Sequence, residues 1–204
     1  MSRDVTFWNL MAKRYAKSDI ADIAAYERKL AMTQAVMHPD MDALEFGCGT
    51  GSTAVIHAPF VKQMTGIDYS RNMIEIARAK AETVQNLQFE VSELGNWPAS
   101  NASYDIILGM NILHLLPDHH AALADVRRLI KTGGYFVSTT VCLGDMSGIL
   151  PRLLPLLSAT RLIPKVVPIA SDTLAQDIRD AGFEIVENWR PEPGRSAFII
   201  AKAV

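Results

Sequence analysis

Only two cysteines, Cys48 and Cys142, occur in the 204 residues, far apart and at no framework spacing. A disulfide-stapled scaffold is excluded, and a reducing interior is the expected setting. Basic residues are not in surplus: 20 Lys and Arg face 22 Asp and Glu, for a formal net charge of −2. Phosphate neutralisation needs a basic surface, so nucleic acid is not an expected partner. Long uncharged hydrophobic runs are also missing. Segment 142–169 is rich in Leu, Ile and Val, but Arg152, Arg161 and Lys165 interrupt it, and Pro151, Pro155, Pro164 and Pro168 would break a helix. Its longest stretch between basic residues, 153–160, falls far short of the roughly 20 residues that a span requires. The first residues, Met1 to Val5 and then Trp8, Asn9, Lys13 and Arg14, hold no apolar stretch of a signal peptide. A cytoplasmic location is expected. No His, Cys or acid set shows metal-ligand spacing. His119 and His120 are adjacent, and neighbours on a helix are not expected to face one ion, so no metal is expected.

Internal repeats, low-complexity tracts and linkers are lacking too, which predicts one domain over 1–204. The apolar fraction of 49% with 21% charged residues is ordinary for a globular chain, and the length suffices for one well-buried core.

The most informative segment is Leu44-Glu45-Phe46-Gly47-Cys48-Gly49-Thr50-Gly51-Ser52, a short apolar strand ending in an acid and then a glycine loop that opens a helix. A loop without Cβ atoms lets a ligand lie against bare backbone. Its amides and the helix start carry partial positive charge, suited to a carboxylate or phosphate. Glu45 would repel a pyrophosphate and attract a cation. A ligand with both an ammonium and a carboxylate satisfies the two ends, as an amino acid does. Further on, Met64-Thr65-Gly66-Ile67-Asp68 reads as a second strand ending in an acid. In an open α/β sheet that acid sits beside the first glycine loop and can hold ribose hydroxyls.

Periodicity places helices over 5–16 and 20–37, a strand over 42–46, a helix over 51–59, a strand over 62–67 and a helix through 82 capped by Ser70 or Asp68. Strands follow over 87–91 and 104–109. Pro117-Asp118 starts a helix expected to end on the glycines of Lys131-Thr132-Gly133-Gly134, before a strand over 135–141. A helix over 171–181 precedes two strands, from Phe183 and from Ser196, joined by a turn at 191–194. Alternating strands and helices imply a doubly wound parallel sheet with right-handed crossovers. The single domain divides into N-terminal helices (1–40), a ligand-binding core (41–141), an apolar insert (142–170) and a C-terminal helix with a β-hairpin (171–204).

Glu45-Phe46-Gly47-Cys48-Gly49-Thr50-Gly51, followed by Asp68, resembles the first two motifs of the class I S-adenosylmethionine-dependent methyltransferases. The likeness is to the small-molecule type, as in ubiquinone and menaquinone methyltransferases. Phe89 to Pro98, Tyr104 to Leu108 with Asn111 to His114, Leu129 to Gly134 (Thr132 replacing a family Pro) and Ala181-Gly182-Phe183 are similar to its later segments. The resemblance implies an α/β Rossmann-like fold of seven mostly parallel strands, in the order 3-2-1-4-5-7-6 with strand 7 antiparallel. It also implies S-adenosyl-L-methionine as cofactor. Gly47, Cys48 and Gly49 would hold the methionyl part, with Glu45 at its ammonium, and Asp68 the ribose. Tyr69 and Met73 would cover the adenine, whose edge Glu93 (an Asp in most members) and Leu94 would read. Met110 would line the sulfonium, and Tyr15 would lie over the cofactor.

Methyl transfer from a sulfonium is an in-line displacement, in which holding donor and nucleophile aligned can supply roughly 7–11 kcal/mol. A base helps when the nucleophile carries a proton. His114, in the loop after strand four, is the candidate. The N-terminal helices and segment 143–168 read as a lid, in which Met146, Ile149, Leu150, Leu153, Leu154, Leu157 and Ile163 suit an apolar or aromatic acceptor. The same segment would equally serve peripheral membrane contact or a homodimer. A DNA amino-methyltransferase would show Asn/Asp-Pro-Pro-aromatic where this chain has Gly109-Met110-Asn111-Ile112-Leu113. A binding module that retains the cofactor without methylating remains an alternative. So, more weakly, does a nicotinamide-dependent oxidoreductase, whose Gly-x-Gly-x-x-Gly spacing is absent.

Overall fold

The structure is a computed structural model that describes residues 3–145, 165–191 and 196–204. Two helices, α1 (Arg3–Tyr15) and α2 (Ile23–Gln34), precede an alternating series. That series runs β1 (Asp42–Phe46), α3 (Ser52–His57), β2 (Gln63–Asp68), α4 (Arg71–Lys80), β3 (Leu87–Val91), β4 (Tyr104–Met110), α5 (His119–Leu129) and β5 (Ile130–Val141). Then come α6 (Ser171–Asp180), β6 (Phe183–Trp189) and β7 (Ser196–Ala203).

Among the described residues the strands form one seven-stranded sheet in the order β3-β2-β1-β4-β5-β7-β6. Strands β1 to β5 pair in parallel, and β7 runs antiparallel to both β5 and β6. This is the expected order and polarity. Central strands with layers on both faces must be apolar throughout, and Ala43 to Phe46 and Ile106 to Leu108 are buried accordingly. Successive side chains feed opposite cores. Leu44, Phe46, Ile107 and Phe136 meet Leu123, Val126, Leu174 and Ile178 on one face, while Ala43, Met64, Ile106 and Leu108 meet Ile74 and Ala77 on the other. Short polar side chains start three of the helices, Ser70 and Asp118 as the sequence suggests: Ser70 accepts from the amide of Met73 at 3.3 Å, Asp118 from Ala121 at 2.9 Å and Asp22 from Ala25 at 2.9 Å.

Helix α2 is three residues shorter at each end than the expected 20–37, and most other ends shift by one or two residues, but one boundary differs in kind. Helix α5 ends not on Gly133-Gly134 but at Ile130, whose backbone is already extended (φ −84°, ψ 142°). Ile130 pairs with Tyr104, the next pair is Ile106 with Tyr135, and the intervening residues bulge. A Cβ on Gly134 would fall 2.7 Å from the Asp105 carbonyl oxygen, and the ammonium of Lys131 grips the Asp105 carboxylate at 2.9 and 2.8 Å. The second glycine thus permits close approach to β4 and does not cap the helix. The apolar insert residues Met146, Ile149, Leu150, Leu153, Leu154, Leu157 and Ile163 lie outside the described residues, as does most of the 191–194 turn.

Candidate functional site

The carboxyl ends of β1, β2 and β4 meet where strand order reverses, the usual position for a ligand in such sheets. β1 brings Glu45 there, level with Gly66 of β2 and Leu108 of β4. The loop then turns through Gly51 at φ +75°, a left-handed conformation that favours glycine. A Cβ at Gly51 would also strike Phe89 at 2.5 Å and Ala77 at 2.8 Å. Asp68, at the tip of β2, fixes the loop: one carboxylate oxygen accepts from the Gly49 amide at 3.0 Å and the other from the Ser70 amide at 2.8 Å. From the far end of α4, Lys80 donates to the hydroxyls of Thr50 and Ser52 at 2.9 and 2.8 Å.

Helix α1 folds over this platform. Its Asn9 side chain accepts from the Ser70 hydroxyl at 2.7 Å and the Asn72 amide at 3.2 Å, and its carbonyl accepts from the Asn72 side chain at 2.9 Å. Tyr15 closes α1 with its ring 3.7 Å from where a Gly49 Cβ would stand.

Between them lies a cleft of about 440 Å³. Of the residues singled out in the sequence, Tyr15, Glu45, Gly47, Cys48, Gly49, Asp68, Tyr69, Met73 and Met110 line it. Glu93, Leu94 and His114 do not. Glu93 is exposed ahead of a short turn at 94–96, and Leu94 packs into the core beneath α5. His114 is buried with no hydrogen-bond partner for Nδ1 among the described residues, and its carbonyl accepts from the Val167 amide at 2.8 Å. Burial lowers its imidazole to about 4, so it is neutral at physiological pH and a feeble base. Residues the sequence did not disclose also line the cleft, among them Trp8, Tyr26, Thr53 and Asn111. Asn111 alone left a trace: it follows β4 directly and adopts a left-handed φ of +56°, which Asn tolerates better than most residues.

The cleft is acidic at its base. Glu45 is 2% exposed, and its Oε2 has no hydrogen-bond partner among the described residues. Burial, helped by the neighbouring Asp68 charge, pushes its carboxyl up to about 8. Burial raises Asp68 as well, against the pull of the Ser70 and Gly49 amides. The Cys48 thiol is held well above its ordinary range by burial and by both acids, which leaves it inert as a nucleophile.

A family model described as "Methyltransferase domain" matches residues 12–188. The chain belongs to this methyltransferase family. Membership implies S-adenosyl-L-methionine as the cofactor, and the cleft fits it on a feature of its own, since a buried acid without a partner beside a bare glycine loop is complementary to an ammonium group. The demethylmenaquinone methyltransferase of Staphylococcus epidermidis is 30% identical over 127 residues, covering 61% of this chain and 51% of the relative. The chain thus spans about half the length of the curated relatives it matches first. A structure titled as an S-adenosylmethionine-dependent methyltransferase of Thermotoga maritima aligns with a TM-score of 0.73 at 20% identity, over 98% of this chain and 99% of that one. The geranyl diphosphate C-methyltransferase of Streptomyces coelicolor, solved with S-adenosyl-L-homocysteine, aligns at 0.73 and 14% identity, over 89% and 79%.

One pair of side chains is oriented otherwise than adjacency suggests. His119 and His120, although adjacent, both turn toward Asp177 on α6. Nε2 of His119 lies 2.8 Å from one carboxylate oxygen, and Nδ1 of His120 lies 3.9 Å from the other. The pair sits in the first turn of α5, and Asp177 comes from α6, which begins 52 residues after α5 starts, a proximity that no local spacing reveals.

Proposed function

We propose that this chain transfers a methyl group from S-adenosyl-L-methionine to a small apolar or aromatic acceptor in the cytoplasm. The observation that carries the reading is the pair of buried carboxyl groups, Glu45 and Asp68, at neighbouring strand tips on either side of an amide-lined loop. When bound, the cofactor supplies an electrophilic methyl group on a sulfonium. Glu45 would hold the amino group, and the backbone of Gly47, Cys48 and Gly49 would lie along the methionyl chain. Asp68 keeps acceptor capacity for ribose hydroxyls beyond its two amide bonds. Tyr69 and Met73 would flank the adenine, and Tyr15 would cover the loop. The adenine-edge role of Glu93 and Leu94 rests on the resemblance alone.

Met110, Ile112 and Leu115 give the mouth of the cleft an apolar wall. An apolar acceptor fits that wall, and the two named relatives, one for demethylmenaquinone and one for geranyl diphosphate, act on compounds with such character. With His114 out of the cleft, alignment of donor and acceptor supplies the acceleration, on the scale of roughly 7–11 kcal/mol. The decisive experiment is S-adenosylhomocysteine release with a panel of quinols, phenols, isoprenoids, amines and fatty acids, beside calorimetry with S-adenosylmethionine and NAD. Binding and turnover with an apolar acceptor are expected. Binding with no release on any acceptor would make the chain a binding module, and preference for NAD would remove the reading.

A further inference from the structure

Away from the cofactor cleft, α5 and α6 lie over the same face of the sheet and share a core. At their junction the metal-ligating atoms of His119, His120 and Asp177 lie within 4.8 Å of one another. The two imidazole centroids are 4.2 Å apart. A groove of about 380 Å³ opens beside them, lined by His120, Leu123 and Arg127 of α5 and by Asp177 and Asp180 of α6.

We propose that His119, His120 and Asp177 form a binding site for a divalent transition metal of the zinc type, which fastens α5 to α6. The donor set points to the ion: two imidazole nitrogens and one carboxylate oxygen suit zinc and its neighbours, whereas calcium and magnesium favour all-oxygen sets. Metal–ligand bonds of about 2.0–2.2 Å at tetrahedral angles put two ligand atoms on one ion roughly 3.3–3.6 Å apart. His119 Nε2 and the Asp177 carboxylate share a hydrogen bond at 2.8 Å, with side chains 11% and 13% exposed, so an ion that replaces the shared proton has to part them by only about half an ångström. His120, whose Nδ1 stands 3.9 Å from the other carboxylate oxygen, has to close in slightly, and its side chain is 66% exposed. The groove admits the water that completes a three-ligand zinc sphere. The ion would also stiffen a support of the cleft without entering it, because α5 follows directly on the loop bearing Asn111, Ile112 and Leu115.

The test uses the full chain, stripped with chelator and titrated with zinc chloride in competition with a chromophoric chelator. One tightly held ion per chain is expected, with affinity reduced about tenfold or more in His120→Ala and in Asp177→Asn. Melting should rise by about 5 °C or more at roughly a hundredfold excess over Kd, a rise lost in His120→Ala. His120 is exposed, so that variant reports on the site even if Asp177→Asn fails to fold. Absence of binding by the wild type, or equal affinity and equal melting shift in His120→Ala, would overturn the proposal.

Discussion

Glu45 keeps its proton at neutral pH in the folded chain and loses it in the unfolded one. Its folded value of about 8 stands above the ordinary 4.5, so between those limits the folded state binds the extra proton. Stability contributed through this group therefore falls as pH rises from 5 to 8. The isosteric Glu45→Gln should flatten that slope and stabilise the ligand-free chain near pH 8, as read by urea denaturation at both ends of the window. An unchanged slope would mean that another group carries it. The same substitution should weaken cofactor binding, since a neutral amide attracts an ammonium poorly. Filling the site at pH 7 should release up to about one proton as Glu45 ionises, visible as calorimetric heats that vary with buffer. Asp68 is a sharper case, because it serves both loop and ligand. Asp68→Ala should cut cofactor affinity more than about tenfold. It should also lower stability by about 1–3 kcal/mol, since the Gly49 and Ser70 amides lose their acceptor. Wild-type affinity in that variant would remove the ribose assignment.

Helix α1 is tied to the start of α4 by Asn9, whose side chain accepts two hydrogen bonds. Asn9→Ala should free the helix and lift Tyr15 from the glycine loop, reducing cofactor affinity several-fold, consistent with about 1 kcal/mol per bond. Faster hydrogen exchange confined to residues 3–15, with the sheet unchanged, would check it. Elements of this kind mark the boundary of what sequence reveals. Strands 42–46 and 87–91 were legible to the residue: the first is a central strand buried from Ala43 to Phe46, and the second an edge strand in which buried Leu87 and Phe89 alternate with exposed Gln88 and Glu90. The end of α5 was not: Gly133-Gly134 carries the chemistry of a helix stop, and only the pairing of Ile130 with Tyr104 shows its other use. Within the cleft, the residues that come from strand tips and their loops were legible, since parallel topology sends every tip to one edge. Trp8, Tyr26 and Thr53 were not, because they reach the site by the docking of helices whose angle no periodicity encodes. The approach of Asp177 to His119 and His120 was hidden for the same reason.

At the level of the whole molecule, both cores are tied to the central strands, and Phe136 is fully buried between Phe46, at 6.5 Å between centroids, and Phe183, at 5.8 Å. Phe136→Ala should cost about 3–5 kcal/mol, measurable by denaturant unfolding, with a loss of cofactor binding that follows global unfolding and not the cleft itself. The sheet order carries a further consequence for biosynthesis. β7 lies between β5 and β6 in space but comes after both in the chain. On the ribosome, therefore, β5 and β6 emerge with facing edges bare, and neither is satisfied until residues 196–203 clear the exit tunnel. Nascent chains stalled short of that point present two open templates for strand addition, the hallmark of a clientele for chaperones that shield unpaired edges.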